Sequence, residues 1–126
     1  MLIDTQIIIW LATGREALLT PAAKKSFREA DELFLSLASY WEIAVKRGVR
    51  KVQWDDRETE TFQHGLRQNR ISDLGITRAH CEQVVLLPRH HRDPFDRMLI
   101  AQAQVERLAI LTSDKYFRKY DVRVVW

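Results

Sequence analysis

The stretch HHRDPFDRMLIAQAQ, His90 to Gln104, decides how the rest of the chain is read. Two aspartates, Asp93 and Asp96, stand either side of Pro94 where an apolar helix begins. Asp93 suits the N-cap. Pro94 suits the first helical position, where a fixed φ and a missing N–H cost nothing. Asp96, near the third position, faces the positive end of the helix dipole. Helix chemistry alone therefore accounts for both acids, and a further role for either needs other acids placed to meet it.

Working outward, the pattern after this helix (Pro94 to Arg107) predicts a strand in RLAILTS, a turn or short helix in DKYFRKY and a terminal strand in VRVVW. Before it, DLGIT at 73–77 reads as a short strand and Arg78–Val85 as a helix. WDDRETETFQHGLRQNR reads as a surface helix capped by Asp55, with Phe62 and Leu66 on one stripe. Nearer the start, Met1–Ile3 is a brief strand and Gln6–Ala12 a helix ending at Gly14. Thr20 and Pro21 open a second helix, Glu32–Leu37 is a strand, and SYWEIAVKRG is a helix stopped by Gly48. Strands that alternate with helices imply βαβ units, hence an α/β fold with a mainly parallel central sheet flanked by helices. No repeat or linker divides the chain, so residues 1–126 are read as one domain.

Composition narrows the function classes. The 126 residues are 46% hydrophobic and 29% charged, with a net charge of +3, which permits a nucleic-acid partner without requiring one. Cys81 is the only cysteine, which excludes an internal disulfide and a cysteine metal cluster. A free thiol suits a reducing cytoplasm, the expected location. The apolar run Ile7–Ala12 falls far short of a membrane span, and no basic segment or cleavage pattern marks a signal peptide.

Four acids then fall at equivalent places. Asp4 follows the first strand, Glu42 lies in the first turn of the helix after the second, Asp96 opens the helix before the fourth, and Asp114 follows AILTS. Ligands in such sheets gather beyond the carboxyl ends of the strands. Each acid also has a capping reading: Asp4 for the first helix, Ser39-x-x-Glu42 as a capping box, Ser113–Asp114 as a turn cap. Together they are harder to explain, because two like charges ~5 Å apart repel by roughly 3 kcal/mol at an effective dielectric near 20. Convergence needs a cation, and oxygen ligands without cysteine favour Mg²⁺ or Mn²⁺.

LIDTQIIIW, SLASYWEIAVKRG, LPRHHRDPFDRMLIAQA and LAILTSD, in this order and spanning the chain, resemble the PIN-domain family of metal-dependent ribonucleases, in particular the VapC-type toxins of toxin–antitoxin pairs. The resemblance carries that family's acidic site to Asp4, Glu42, Asp96 and Asp114. Asp96 is preferred to Asp93 because the family's acid precedes a small-residue helix face, here Ala101 and Ala103, which leaves Asp93 a capping and supporting role. The resemblance implies hydrolysis of RNA phosphodiester bonds with Mg²⁺ or Mn²⁺, a small antitoxin as partner, and a homodimer or toxin–antitoxin hetero-oligomer. Gln6 stands where relatives often carry histidine, and Tyr116 where some offer a further acid, so the number of ions stays open.

The neighbours of the four acids have two readings each. Lys46, Arg92, Arg97 and Lys115 can hold phosphates or form an ordinary solvated surface, and Lys46, four residues after Glu42, can pair with it. Thr5 and Ser113 can hold a metal's waters or cap helices. His90 and His91 have a metal-ligating or acid–base reading, but in a loop between apolar segments they read as surface or satisfied histidines. Trp10, Tyr40 and Trp41 can stack bases, fill the core or line a groove for a partner helix. The alternative function is a non-catalytic RNA- or protein-binding module of the same architecture. A haloacid-dehalogenase-like phosphatase wants a second aspartate where Gln6 stands, and a receiver domain wants acids clustered at the first strand.

Overall fold

A computed structural model describes residues 1–49 and 54–126. Five strands, β1 (Leu2–Ile3), β2 (Leu33–Ser36), β3 (Ile71–Leu74), β4 (Ile110–Leu111) and β5 (Val124–Val125), form one sheet in the order β3-β2-β1-β4-β5. Every pairing is parallel. The chain winds outward from β1 to β3 and then returns to lay β4 beside β1. The strand order therefore reverses between β1 and β4, and crevices open at such reversals.

The helices are α1 (Thr5–Ala12), α2 (Pro21–Glu29), α3 (Leu37–Gly48), α4 (Asp56–Gln68), α5 (Arg78–Leu86) and α6 (Pro94–Val105), with 3₁₀ turns at Glu16–Leu18 and Lys115–Lys119. Both sheet faces are covered, as parallel sheets require. Alternation along the strands divides the core in two. Ile3, Leu35 and Leu111 pack with Ile7, Ile8 and Ile43 on one face. Leu2 and Ile110 pack with Leu99, Ile100 and Phe117 on the other. No helix among the described residues is long and apolar enough to cross a membrane.

The elements follow the sequence pattern with three shifts. α3 starts at Leu37 directly on the end of β2, capped by Ser36, whose hydroxyl accepts from Ala38 N–H at 2.9 Å. The Ser39 capping box does not form, and Glu42 lies in the second helical turn rather than the first. β3 spans Ile71–Leu74 rather than 73–77, because ISDL pairs residue for residue with Leu33–Ser36 of β2. α6 ends at Val105 rather than Arg107, because Arg107 takes φ 55°. Leu108 N–H then returns to Ala103 C=O at 2.9 Å and Arg107 N–H to Gln104 C=O, closing the helix end in a Schellman arrangement.

α6 begins as its sequence dictates. Asp93 Oδ1 accepts Phe95 N–H at 2.8 Å, and Pro94 occupies the first turn. Its inner face, Leu99, Ile100, Ala101 and Ala103, is buried against the sheet. Leu99→Ala should cost about 2–5 kcal/mol through lost burial and a residual cavity. Asp93→Ala should cost about 1 kcal/mol through the lost cap. Urea denaturation of both variants measures the difference; equal losses would contradict this account of α6.

Candidate functional site

Asp4 emerges from β1 as the N-cap of α1, with Oδ1 accepting Gln6 N–H at 3.0 Å. Its Oδ2 accepts the hydroxyl proton of Thr112, which stands at the end of the neighbouring strand β4. The same Thr112 oxygen accepts Asp114 N–H at 3.0 Å. Thr112, fully buried, thus ties the two acids across the place where the strand order reverses. Asp114 caps the following 3₁₀ turn through Oδ1 and Tyr116 N–H at 2.8 Å. Glu42 approaches from α3, only 7% exposed. Thr5 donates to Ser39 at 2.9 Å in the interior, which fixes α3 against α1 one turn before Glu42. Asp96 comes from the first turn of α6.

The charges of the cluster act on Asp4 and Asp96. Burial holds the Asp4 carboxyl above its ordinary value against the hydrogen bonds from Thr112 and Gln6, and the charges of Glu42 and Asp114 add to the rise. Asp96 is pushed up to about 7, first by loss of solvent and then by the charges of Asp93, Asp4, Glu42 and Asp114. Lys46 Nζ lies 2.6 Å from Glu42 Oε1, so the i,i+4 pair read as a competitor to phosphate binding is formed.

Other predicted residues take different places. Arg97 donates to the carbonyls of Pro88 at 2.7 Å, Val84 at 2.8 Å and Leu87 at 3.1 Å, so its guanidinium finishes the C-terminus of α5. Arg92 and Lys115 are exposed beside Asp93 and Asp114, and Ser113 is half-buried between Thr112 and Asp114. Trp10 packs against Trp126 and Tyr40 donates to Asp73 at 2.7 Å, both away from the acids. Trp41, next to Glu42, is 62% exposed and meets Phe95, next to Asp96, edge-on at 5.1 Å.

Two residues at the site were not singled out for it by the sequence. Thr112 carries only the signal of a hydroxyl at a strand end before an acid. His91, read as a surface or satisfied histidine, has its ring 8% exposed and Nε2 3.1 Å from Asp114 Oδ2. His91, Asp96 and Asp114 each offer a ligand atom within 4.8 Å of the others. Four carboxylates drawn together, with the charges of their neighbours raising Asp4 and Asp96, are an oxygen donor set fitted to a hard divalent cation.

The fold is a parallel α/β sheet whose strand order reverses beside a cluster of acids. A family model described as PIN domain matches residues 1–123, and the chain belongs to the PIN-domain family. In structure it is similar to a chain in the crystal structure of VapBC2 from Rickettsia felis bound to a DNA fragment from their promoter. That match has a TM-score of 0.75 at 12% identity and covers 98% of this chain and 95% of that one. It is also similar to a chain of a toxin-antitoxin complex from Klebsiella pneumoniae, with a TM-score of 0.64 at 24% identity over 99% of this chain and 95% of that one. At these identities the likeness is one of fold. No curated protein sequence matches the chain.

The raised Asp96 carboxyl has a thermodynamic consequence. The unfolded chain titrates it near 3.8 and the metal-free folded chain near 7. The folded state therefore binds the proton more tightly, and this contribution to stability is full below about pH 4 and lost as pH rises through 7. With allowance for a carboxyl partly open to solvent, the loss is on the order of 1–2 kcal/mol. Asp96→Asn should raise the metal-free melting temperature at pH 8 by about 3–8 °C and flatten its decline between pH 5 and 8. Thermal melts in EDTA measure this; an unchanged pH profile would contradict it.

Proposed function

We propose that this protein is a divalent-metal-dependent endoribonuclease that acts as the toxin of a toxin–antitoxin pair. The observation that carries the reading is the gathering of Asp4, Glu42, Asp96 and Asp114 at the carboxyl edge of a parallel sheet, where the charges of the others raise the Asp4 and Asp96 carboxyls. Like charges in a largely buried position need a compensating cation, and these four acids are proposed to hold Mg²⁺ or Mn²⁺. When bound, such an ion supplies Lewis acidity and positive charge where the negative charge of a phosphodiester builds up during hydrolysis.

The chain's own residues would do the rest. Asp4 and Asp114 keep one oxygen on a backbone N–H, so neither carboxylate rotates freely. Lys46 holds Glu42 in place and offsets part of its charge. Arg92 and Lys115, with Lys119 4.5 Å above the Tyr116 ring, set positive charge around the acids for neighbouring phosphates. Asp93, through the cap, fixes the first turn that carries Asp96.

The toxin reading is supported by membership of the family and by the toxin–antitoxin complexes in which the two similar structures occur. Apolar surface left open gives a partner somewhere to bind. Leu37, Trp41 and Val45 recur every four residues along α3 and Val49 follows at its C-cap, each more than two-fifths exposed. A groove of about 420 Å³ lies between α1 and α4, lined by Ile8, Leu11, Phe27, Phe62 and Leu66 among others. An amphipathic antitoxin helix suits such surfaces. The tryptophans do not form one groove beside the acids, because Trp10, Trp54 and Trp126 are drawn into the core away from Trp41.

Two measurements test the reading. Asp4→Asn, Glu42→Gln, Asp96→Asn and Asp114→Asn should each remain folded and lose most Mg²⁺- or Mn²⁺-dependent cleavage of structured RNAs, followed by end mapping. Near-parental cleavage by any variant removes that residue from the site. Expression alone should be toxic, and co-expression with the product of the adjacent reading frame should relieve toxicity and yield a stable complex. A harmless protein that cleaves RNA and binds no neighbour would sink the toxin reading and leave the nuclease reading standing.

A further inference from the structure

His91 lies in the loop between α5 and α6 and is enclosed by aromatic rings. Phe117 meets it edge-on at 5.0 Å between centroids, Tyr116 edge-on at 6.2 Å, and Tyr120 stacks on it at 5.4 Å. Three polar contacts fix its protons. Its backbone N–H is 2.8 Å from Tyr120 Oη, so that oxygen accepts there. Its Nε2 is 3.1 Å from Asp114 Oδ2, and a carboxylate oxygen can only accept, so Nε2 carries a proton. In the neutral ring Nδ1 is then bare. Tyr120 Oη, 3.1 Å away, turns its own proton onto it. The result is a closed relay, from His91 N–H to Tyr120 O–H to His91 Nδ1, with Nε2–H delivered to Asp114.

Asp114 is held from both sides by this arrangement. Oδ1 accepts Tyr116 N–H at 2.8 Å and Oδ2 accepts the imidazole. The two bonds fix the rotation of the carboxylate, which keeps an oxygen within 4.8 Å of a carboxylate oxygen of Asp96. We propose that His91 is a positioning residue for Asp114, with Nε2–H held on the carboxylate and the ring steadied through Nδ1 by Tyr120, so that the carboxylate is set for the cation it shares with Asp96. The proposal rests on the metal reading of the acidic site given above. Hydrogen-bonded partners of ligating groups commonly change metal affinity by 10- to 100-fold when removed.

The test measures Mn²⁺ binding to the full chain without RNA, by electron paramagnetic resonance titration, together with ¹⁵N shifts of the imidazole. His91→Phe keeps the ring among its aromatic neighbours and removes both nitrogens. His91→Gln carries an amide N–H that reaches the place of Nε2–H. Tyr120→Phe keeps the stack and removes the hydroxyl that holds Nδ1 and the His91 backbone N–H. His91→Phe should weaken Mn²⁺ binding about tenfold or more, and His91→Gln should recover most of that loss. In the parental protein the imidazole should show a protonated Nε2 and a bare Nδ1, and in Tyr120→Phe the Nδ1 resonance should move as its hydrogen bond is lost while Nε2 stays protonated. Melting temperatures in EDTA confirm that the variants fold.

Unchanged Mn²⁺ affinity in His91→Phe overturns the proposal, as does a His91→Gln variant no better than His91→Phe. Asp96→Asn serves as the control. If it loses Mn²⁺ binding while His91→Phe does not, the positioning role fails and the metal site stands. If the parental protein binds no Mn²⁺, both fail together.

Discussion

A single hydroxyl, that of Thr112, joins the ends of the two strands between which the sheet reverses its order. It donates to Asp4 and accepts from the backbone of Asp114. Parallel strands all deliver their following residues to one edge, so a fold of this kind concentrates whatever side chains come next. Here these are acids, and their repulsion works against the compact state. The hydrogen bonds that restrain them, with the packing of β1 and β4 beneath, set the geometry on which the rest of the site depends. Glu42 and Asp96 are brought to that edge by helices whose own buried faces fix their approach.

A division of labour runs through the aspartates. Asp4 and Asp114 each give Oδ1 to the backbone N–H two residues on, and Oδ2 to a side chain of the site. The capping chemistry and the site chemistry are therefore not alternatives, as a reading of local sequence makes them; one carboxylate does both. An asparagine at either position would keep its carbonyl on the cap and be obliged to turn its NH₂ into the site. The amide variants thus remove a ligand while preserving the helix start.

The parts of the fold legible in the sequence are those set by local chemistry. Asp93, Pro94 and the apolar face of α6 specify their helix without help from the rest of the chain. Asp4, Asp96 and Asp114 were legible because each adjoins a strand end or helix start, whereas Glu42 lies a turn deeper in α3 than the Ser39 reading placed it. What stayed hidden depended on residues distant in sequence. Ser36 and Ser39 are both plausible caps by composition, and only the direct passage of β2 into α3 selects Ser36. β3 is an edge strand whose polar Ser72 and Asp73 are exposed, so hydrophobicity pointed past it. His91 meets Asp114 across 23 residues and Arg97 meets carbonyls of a preceding helix, contacts that no spacing rule encodes.

Arg97 fastens the segment from Val84 to Pro88 by three carbonyls, and it does so from the position that follows Asp96 in α6. The loop that carries His91 and the helix turn that carries Asp96 are thereby two ends of one tether. Displacement of either strains the same guanidinium, so the positions of the two residues are linked through Arg97. The amides of this loop should resist hydrogen exchange more like those of a helix than like those of a connecting segment. The half of the acidic site built from α6 and its preceding loop is thus braced by one side chain, and it faces the half built from β1 and α3.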